Sequence, residues 1–500
     1  MKVLAHWRKA IPTAVAAGLL CLAFPPVNLY LVVLICLAPW LAALRDTDGK
    51  GACKSGYLFG VIYFGFQMFW LVPFVSNWTG SYLLAAIPWI AAALIAGLYY
   101  LFAGWLIHRC WVTRRIWMIP LVWAGVEGIR AYIYLLAFPW GFLALPLWRM
   151  PWMVQHAAFG TILLVSAWLI IPNLLLAIFV WPAKGENVDN MPHGRSVVRL
   201  GLVFLGLLVL SAYRFSTEPA GVKKTITIGQ TGVDMAFGDP LTKQDDLEIA
   251  VTSILGTAAF NSSDFVVLPE GIAGESVGLP PNGPVGSEPP LPVLFGGNRV
   301  DGDDTFQTAY AWDGEWSSVD KTRLVIFGEY VPFRKHLPFL QAFDLPSGDL
   351  TPGDEIGQVK VSDITVAPLV CFEGVFPDIV DRHTSDGAQL LAVMAIDDWY
   401  AGTMAQEQLW MSSVWRSIES GLPLVRSASL GQSLATDSRG RLLTRAPYGE
   451  TTPLRVELNI PDQSDAGRPR MLFVWLSWLA VTAVVLEALW RKKKSGQETN

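Results

Sequence analysis

The chain has 500 residues, too many for one ordinary domain, so two or more folded units are expected. Hydrophobic residues make up 52% and charged ones only 16%, far from a soluble average, and 22 tryptophans suit a chain rich in membrane interfaces. A net charge of −5 supplies no basic field for nucleic acid; the six histidines and five cysteines form no cluster with zinc-site spacing and no disulfide framework, so neither metal nor cofactor is expected.

A helix needs about 20 apolar residues to cross a bilayer core. Seven stretches before residue 216 meet or approach that length, near 10–26, 28–44, 57–77, 82–107, 117–136, 152–181 and 199–214, and an eighth covers 471–490. The first is read as a span and not a cleaved signal, because another span follows at once with no small-residue cleavage site. The expected division is a membrane domain at 1–216 with about seven helices, a soluble domain at 217–470, and a last helix with a basic tail at 471–500. Every second loop is basic: Lys2, Arg8 and Lys9, then Arg45, Lys50 and Lys54, then Arg109, Arg114 and Arg115, then Lys184, Arg195 and Arg199, and finally Arg491–Lys494. That alternation places both termini in the cytoplasm and residues 217–470 outside, which in a bacterium is the periplasm. A lone cysteine in that oxidising compartment has no partner within the chain, which favours a working thiol.

Between the fifth and sixth stretches lie Glu127 and Arg130, one helical turn apart, followed by Phe138-Pro139-Trp140-Gly141. Ionisable residues at membrane depth are costly, so the two either pair structurally in the bundle or meet a lipid headgroup. The aromatic–proline run after them reads as an interfacial or re-entrant segment.

In the soluble part, strands are expected at Lys224–Gln230, Asp264–Leu268, Val293–Asn298, Phe306–Trp312 and Trp316–Val319, the last two joined by a turn at Asp313-Gly314. Further strands are read at Thr365–Val370 and Gln389–Ile396, with Leu424–Ser427 and Gln432–Asp437 as the last. Helices are read at Thr242–Phe260 and Thr403–Ser420. Residues 278–292 form a Pro/Gly loop that could act as a lid. Strands and helices interleave, and the buried strands end on polar residues, which is the pattern of a layered α/β fold.

Three of those polar residues are Glu270, Lys321 and Cys371, and Cys371 is the only cysteine after Cys110. A free cysteine is often just a small buried hydrophobe. Here, however, a carboxylate raised by burial could take the thiol proton, and a lysine could hold charge where an oxyanion develops. Each of the three carries a local pattern. Pro269-Glu270 follows a strand. Lys321 precedes Glu329 by eight residues within a Phe327-Gly328-Glu329-Tyr330-Val331-Pro332 run. Cys371-Phe372-Glu373 forms the third, and Asp397-Asp398-Trp399 follows it.

These patterns resemble the Glu-Lys-Cys trio of the nitrilase, or carbon–nitrogen hydrolase, superfamily, and the eight-span arrangement around them resembles the bacterial apolipoprotein N-acyltransferase family. The resemblance implies a multi-pass α-helical membrane bundle plus an extracytoplasmic α/β nitrilase-like (αββα sandwich) domain. It implies transfer of a fatty acyl chain from a phospholipid, through a thioester on Cys371, to the N-terminal amine of a diacylglyceryl-cysteine apolipoprotein at the inner membrane. A monomer is expected. Glu270 would act as base, Lys321 as oxyanion partner and Cys371 as nucleophile, with Glu329, Glu373 and Phe372 in support, although the two glutamates could equally cap turns. Trp399, Tyr330, Arg426, Glu127 and Arg130 are candidate substrate contacts.

The sequence departs from the family pattern at Leu268 for Trp, Phe372 for Tyr and Ile396 for Asn. It also departs at Glu407-Gln408-Leu409, at Ser429-Leu430-Gly431 and at Met235-Ala236-Phe237. These changes leave open a divergent membrane paralogue of the conjugal-transfer TraB type, with another donor or acceptor, or an amidase. A silent scaffold would not be expected to keep all three reactive residues.

Overall fold

The computed structural model describes residues 2–133, 137–181, 194–217, 219–277, 283–284, 286, 288–326, 328–332, 334, 348–462 and 469–497. The chain divides into two units, one made chiefly of residues 1–216 and 468–500, the other of 217–402 and 406–467.

The first unit is helical: α1 (Lys2–Leu22), α2 (Ala38–Arg45), α3 (Gly49–Gln67), α4 (Leu71–Thr79), α5 (Tyr82–Val112), α6 (Ile119–Tyr132), α7 (Thr161–Val180), α8 (Gly194–Ser216) and, from the chain's end, α12 (Arg470–Gln497). Its centre is aromatic. Trp40 stacks on Phe59 at 4.3 Å, and Tyr100 and Trp123 close around them. Helices α3 and α5 approach closely because Gly56 and Gly60 carry no side chain. A Cβ on Gly56 would lie 2.1 Å from the carbonyl oxygen of Tyr100, and one on Gly60 would lie 2.9 Å from Gly97 Cα.

Four helices among the described residues are long and apolar enough to cross a membrane: α5, α7, α8 and the Arg470–Lys494 part of α12. A fifth span exists if α3 and α4, bent by 54° at their junction, are counted together. Of the eight apolar stretches expected, the described residues thus form four or five helices of spanning length. The apolar part of α1, Ala10–Leu22, and the Tyr30–Arg45 pair are too short to cross as regular helices, and α6 has only 14 residues. The stretch at 152–181 is not one helix either; it begins as short 3-10 turns up to Phe159 before α7 starts. Prolines 146 and 151 open two of the 3-10 turns in this region, whereas Pro12, Pro88 and Pro172 are accommodated inside α1, α5 and α7.

The second unit holds two sheets. In the first, β13 (Thr452–Pro461), β1 (Gly221–Gln230), β2 (Phe265–Val267), β4 (Val293–Asp301), β5 (Asp304–Trp312) and β6 (Trp316–Asp320) lie in that order, with β3 (Ala273–Val277) paired to β4. The second runs β12 (Leu442–Arg445), β11 (Leu434–Thr436), β10 (Leu424–Ala428), β9 (Leu390–Ala395), β8 (Ile364–Val370), β7 (Val359–Val361). Their inner faces form one core: Ile226, Ile228, Val267 and Leu294 meet Val366, Val370, Leu390, Ala392 and Met394. Helix α9 (Lys243–Phe260) covers the outer face of the first sheet through Val251, Ile254 and Leu255 against Val266, Leu268 and Phe295. Helices α10 (Pro377–Ser385) and α11 (Met404–Ser420) belong to the other side, where Gly374 lies between Val393 of β9 and Ser413 of α11. The result is an αββα sandwich.

Strands β8, β9 and β10 run parallel with both faces covered, which is why they read as near-continuous apolar runs. Strands β12 and β13 lie beyond Asp437, where the sequence reading had placed the last strand. β13 pairs antiparallel with β1 along ten residues and so closes an edge of the first sheet.

Candidate active site

Three strand ends in the second unit carry the reactive groups. Strand β2 ends at Val267, and the chain turns at Pro269-Glu270-Gly271. Gly296 on β4 makes that turn possible, because a Cβ there would meet Glu270 Cα at 2.7 Å. The Glu270 side chain is buried and accepts a hydrogen bond from the Ile396 amide at 3.1 Å, and the Cys371 thiol is among the groups that hold its pKa down. Burial pushes its carboxyl up to about 7, with Lys321 pulling the other way.

Lys321 directly follows β6. Its amide donates to the Gln307 carbonyl at 2.7 Å, and its own carbonyl accepts from Gly353 at 2.8 Å. Its ammonium donates to Glu329 Oε1 at 2.5 Å and to Gln307 Oε1 at 2.8 Å. Burial works against that charge, but Glu329, Glu270, Cys371 and Glu373 around it raise its pKa above the ordinary lysine value. Lys321 therefore stays cationic.

Cys371 ends β8 with a φ of 53°, a left-handed conformation that a β-carbon disfavours by about 1–2 kcal/mol. That turn points the side chain out of the strand line, and the chain then enters the 3-10 turn Cys371–Val375. Glu373 holds the turn. Its Oε2 accepts from the Val370 amide at 3.0 Å, while its Oε1 accepts from the amides of Thr322 and Arg323 at 2.9 and 3.1 Å. One carboxylate thus ties the nucleophile's turn to the segment after Lys321. Burial first, then Glu270, push the Cys371 thiol well above its ordinary value, so it rests protonated; of the three residues only Cys371 is not fully buried.

The structure thus brings Glu270, Lys321 and Cys371 together, with Glu329 on the lysine and Glu373 under the turn. Glu329 also caps its own loop, accepting from the Val325 amide at 2.9 Å through Oε2. Phe372 is buried and meets Phe376 edge-on at 5.9 Å, an apolar contact. Trp399 and Tyr330 are half-buried. Arg426 is 1% exposed, and its Nη2 donates to both carboxylate oxygens of Asp397 at 2.8 and 2.6 Å. Glu127 and Arg130 belong to the helical unit. Glu127 accepts from the Leu143 amide at 2.9 Å, and Arg130 donates to the Trp140 carbonyl while its own carbonyl accepts from the Phe138 amide. Both are bound to the backbone of the segment that follows α6. Phe327, and residues 278–282, 285 and 287 of the expected lid, lie outside the described residues.

The sequence reading missed Gln307, which holds the Lys321 ammonium, and the buried phenol of Tyr400, whose nearest charged neighbours include Cys371, Glu329 and Glu270. Gln307 lies in β5 among other polar residues, Asp304, Thr305 and Thr308, so the sequence does not set it apart. Among the described residues no group of three His, Cys, Asp or Glu could hold a metal.

Comparison with known proteins matches the geometry. The N-terminal domain of apolipoprotein N-acyltransferases matches residues 16–175, and the carbon–nitrogen hydrolase domain matches residues 307–464. The chain is 26% identical over 509 residues to the apolipoprotein N-acyltransferase of Geobacter metallireducens, covering 96% of this chain and 95% of that one. It is 25% identical over 521 residues to that of Vibrio vulnificus, covering 98% of each. The chain is thus similar along nearly its whole length to apolipoprotein N-acyltransferases. Among solved structures, the second unit is similar to Saccharomyces cerevisiae Nit3, a nitrilase-superfamily member, at 14% identity and a TM-score of 0.37, covering 49% of this chain and 92% of that one. As an apolipoprotein N-acyltransferase relative, the chain is a membrane-associated N-acyltransferase with a nitrilase-like domain.

Proposed function

We propose that the chain carries out lipoprotein N-acylation in two half-reactions on Cys371, at the outer face of a bacterial inner membrane. In the first, Glu270 takes the thiol proton as Cys371 Sγ attacks an ester carbonyl of a phospholipid. Lysophospholipid leaves with that proton, and an acyl thioester remains. In the second, the N-terminal amine of a diacylglyceryl-cysteine protein attacks the thioester. Glu270 accepts the amine's proton and returns it to the departing thiol. Two of the three ammonium donors of Lys321 already bind Gln307 and Glu329, and we assign the third to the oxyanion of each tetrahedral intermediate. Glu329 and Glu373 position the lysine and the nucleophile's turn.

One observation carries this reading: a cysteine at a left-handed turn shares its surroundings with a buried carboxyl whose pKa is raised to about 7 and with a fixed ammonium. A base tuned to about 7 suits proton transfer in both directions. The test is expression of the chain in a conditional strain lacking N-acyltransferase, with Cys371→Ala as control. Growth with the wild type alone supports the reading. Failure of a correctly inserted wild type points to another acceptor or donor on the same scaffold, which the replacement of shell residues at Leu268, Phe372 and Ile396 motivates.

A further inference from the structure

One buried carboxylate beside the site gathers donors from two separate loops. Asp398 opens the 3-10 turn Asp398–Tyr400 and is 1% exposed. Its Oδ2 accepts from the Met235 amide at 2.7 Å, and its Oδ1 accepts from Ser429 Oγ at 2.6 Å and from the Leu430 amide at 3.1 Å. The two loops also join each other, since the Gly232 amide donates to the Ser429 carbonyl at 2.8 Å. Phe237, two residues past Met235, meets Trp399 edge-on at 5.6 Å, and Asp234 fixes Phe237 by accepting its amide at 2.8 Å. Phe237 is 43% exposed, so this aromatic pair presents an open apolar face. On the inner side of the same turn, the Ile396 amide binds Glu270, and Tyr400 lies within electrostatic reach of Cys371.

We propose that Asp398 is a specificity-determining positioning residue: its carboxylate clasps loops 231–238 and 429–431 to the Trp399 turn and so builds the Phe237–Trp399 wall that seats a lipid acyl chain beside Cys371. The proposal rests on the two-step reading above. The chain could belong to the phospholipid or to the lipidated acceptor, and both present the same hydrocarbon to the wall. None of the three donors to Asp398 belongs to Glu270, Lys321 or Cys371, so loosening the clasp should alter seating and leave the bond-making groups in place.

Burial pushes Asp398 up to about 7, against the pull of its three donors. The clasp is thus strongest when the carboxyl is ionised and weakens as pH falls through about 7. The titratable and charged groups around it are Asp397 on its own turn, Arg426 of β10 paired to Asp397, Asp234 and Lys243 beside Met235, and Tyr448, with Glu270 and Cys371 beyond the turn.

The test measures the half-reactions separately in the full chain: acyl-thioester formation from phosphatidylethanolamine, and transfer to a synthetic diacylglyceryl-cysteine peptide. Asp398→Ala should raise the half-saturating concentration of one lipid substrate about tenfold, the loss expected for hydrogen bonds to a buried charge, with the maximal rate within about twofold. Phe237→Ala should reproduce the shift, and shortening that substrate's acyl chains should erase it. Asp398→Asn should give a smaller shift and remove its pH dependence near 7. Hydrogen exchange should quicken at the Met235 and Leu430 amides in Asp398→Ala, a readout independent of activity. If Asp398→Ala does not fold, Ser429→Ala, which removes a single donor, should show the same pattern in weaker form. The proposal is overturned if maximal rates fall while half-saturation stays, if Phe237→Ala changes neither substrate, or if the two amides keep their protection. A wild type that never forms the thioester would refute the two-step reading instead, and the exchange measurement would still decide the clasp.

Discussion

In the helical unit, Glu127 and Arg130 are 2% and 3% exposed and bind the backbone of residues 140–143. In the second unit, Glu270 and Lys321 are equally buried, yet both lie around Cys371, a residue that is only partly buried. The guanidinium of Arg130 also lies over the rings of Phe64 and Phe142 at 4.8 and 5.4 Å. Tyr63 reaches the same segment, donating to the Gly141 carbonyl at 2.9 Å. Both sets are buried charge held in a close-packed interior. What separates them is where the hydrogen bonds end. A carboxylate that terminates on backbone amides fixes a chain segment; one that receives a thiol proton, with an ammonium alongside, can do chemistry.

The sharpest way to break this comparison is at the thiol. Cys371→Ala should abolish thioester formation, and Lys321→Met should lower its rate by about 10²–10³-fold, the usual cost of removing an oxyanion donor. Full activity in Lys321→Met would remove the proposed oxyanion assignment. Next comes pH. Because Glu270 must be ionised to accept the proton, the rate of thioester formation should fall about tenfold per unit below pH 7 and level off above it. The stability effect has the opposite sense. Between the ordinary value of 4.5 and about 7 the folded chain keeps a proton that the unfolded chain has lost, so stability falls as pH rises through that window. Glu270→Gln should flatten that slope in thermal melts while eliminating activity.

The other side of the comparison predicts loss of fold without loss of chemistry. Glu127→Gln or Arg130→Met should lower stability in detergent by about 3 kcal/mol, as expected for breaking a buried charged set. The rate per folded molecule should stay within about twofold of wild type. A large fall in that rate at unchanged stability would move these residues from scaffold to substrate contact. The smallest effect is expected at the helix contact. Gly56→Ala puts a methyl against the Tyr100 carbonyl and should cost about 1–2 kcal/mol, read from the same melts.

Much of the second unit could be read from the chain itself. Strands β8 and β9 are buried on both faces, so they stand out as unbroken apolar runs, and the polar residue closing β8 is the reactive one. The reactive trio was visible because each member ends or directly follows a strand and carries a local pattern. What could not be read depends on partners distant in sequence. Gln307 and Asp398 become meaningful only once β5 and the 231–238 loop are folded against them. β13 was passed over because it begins after a Pro/Gly turn and carries charges at Arg455 and Glu457, which face away from the buried Val456, Leu458 and Ile460. The pairing of Arg426 with Asp397 likewise joins two residues far apart in sequence. The helical unit was legible in hydropathy but not in geometry. Composition marks a stretch as apolar but does not show a bend such as the 54° one between α3 and α4.

The most direct measurement is the mass of the Cys371 peptide after the purified chain is incubated with phospholipid and no acceptor. The account predicts one acyl group on Cys371, labile to hydroxylamine and discharged when a diacylglyceryl-cysteine peptide is added. A protein that transfers acyl chains at full rate while that peptide stays unmodified, or whose Cys371→Ser variant still transfers, would contradict it.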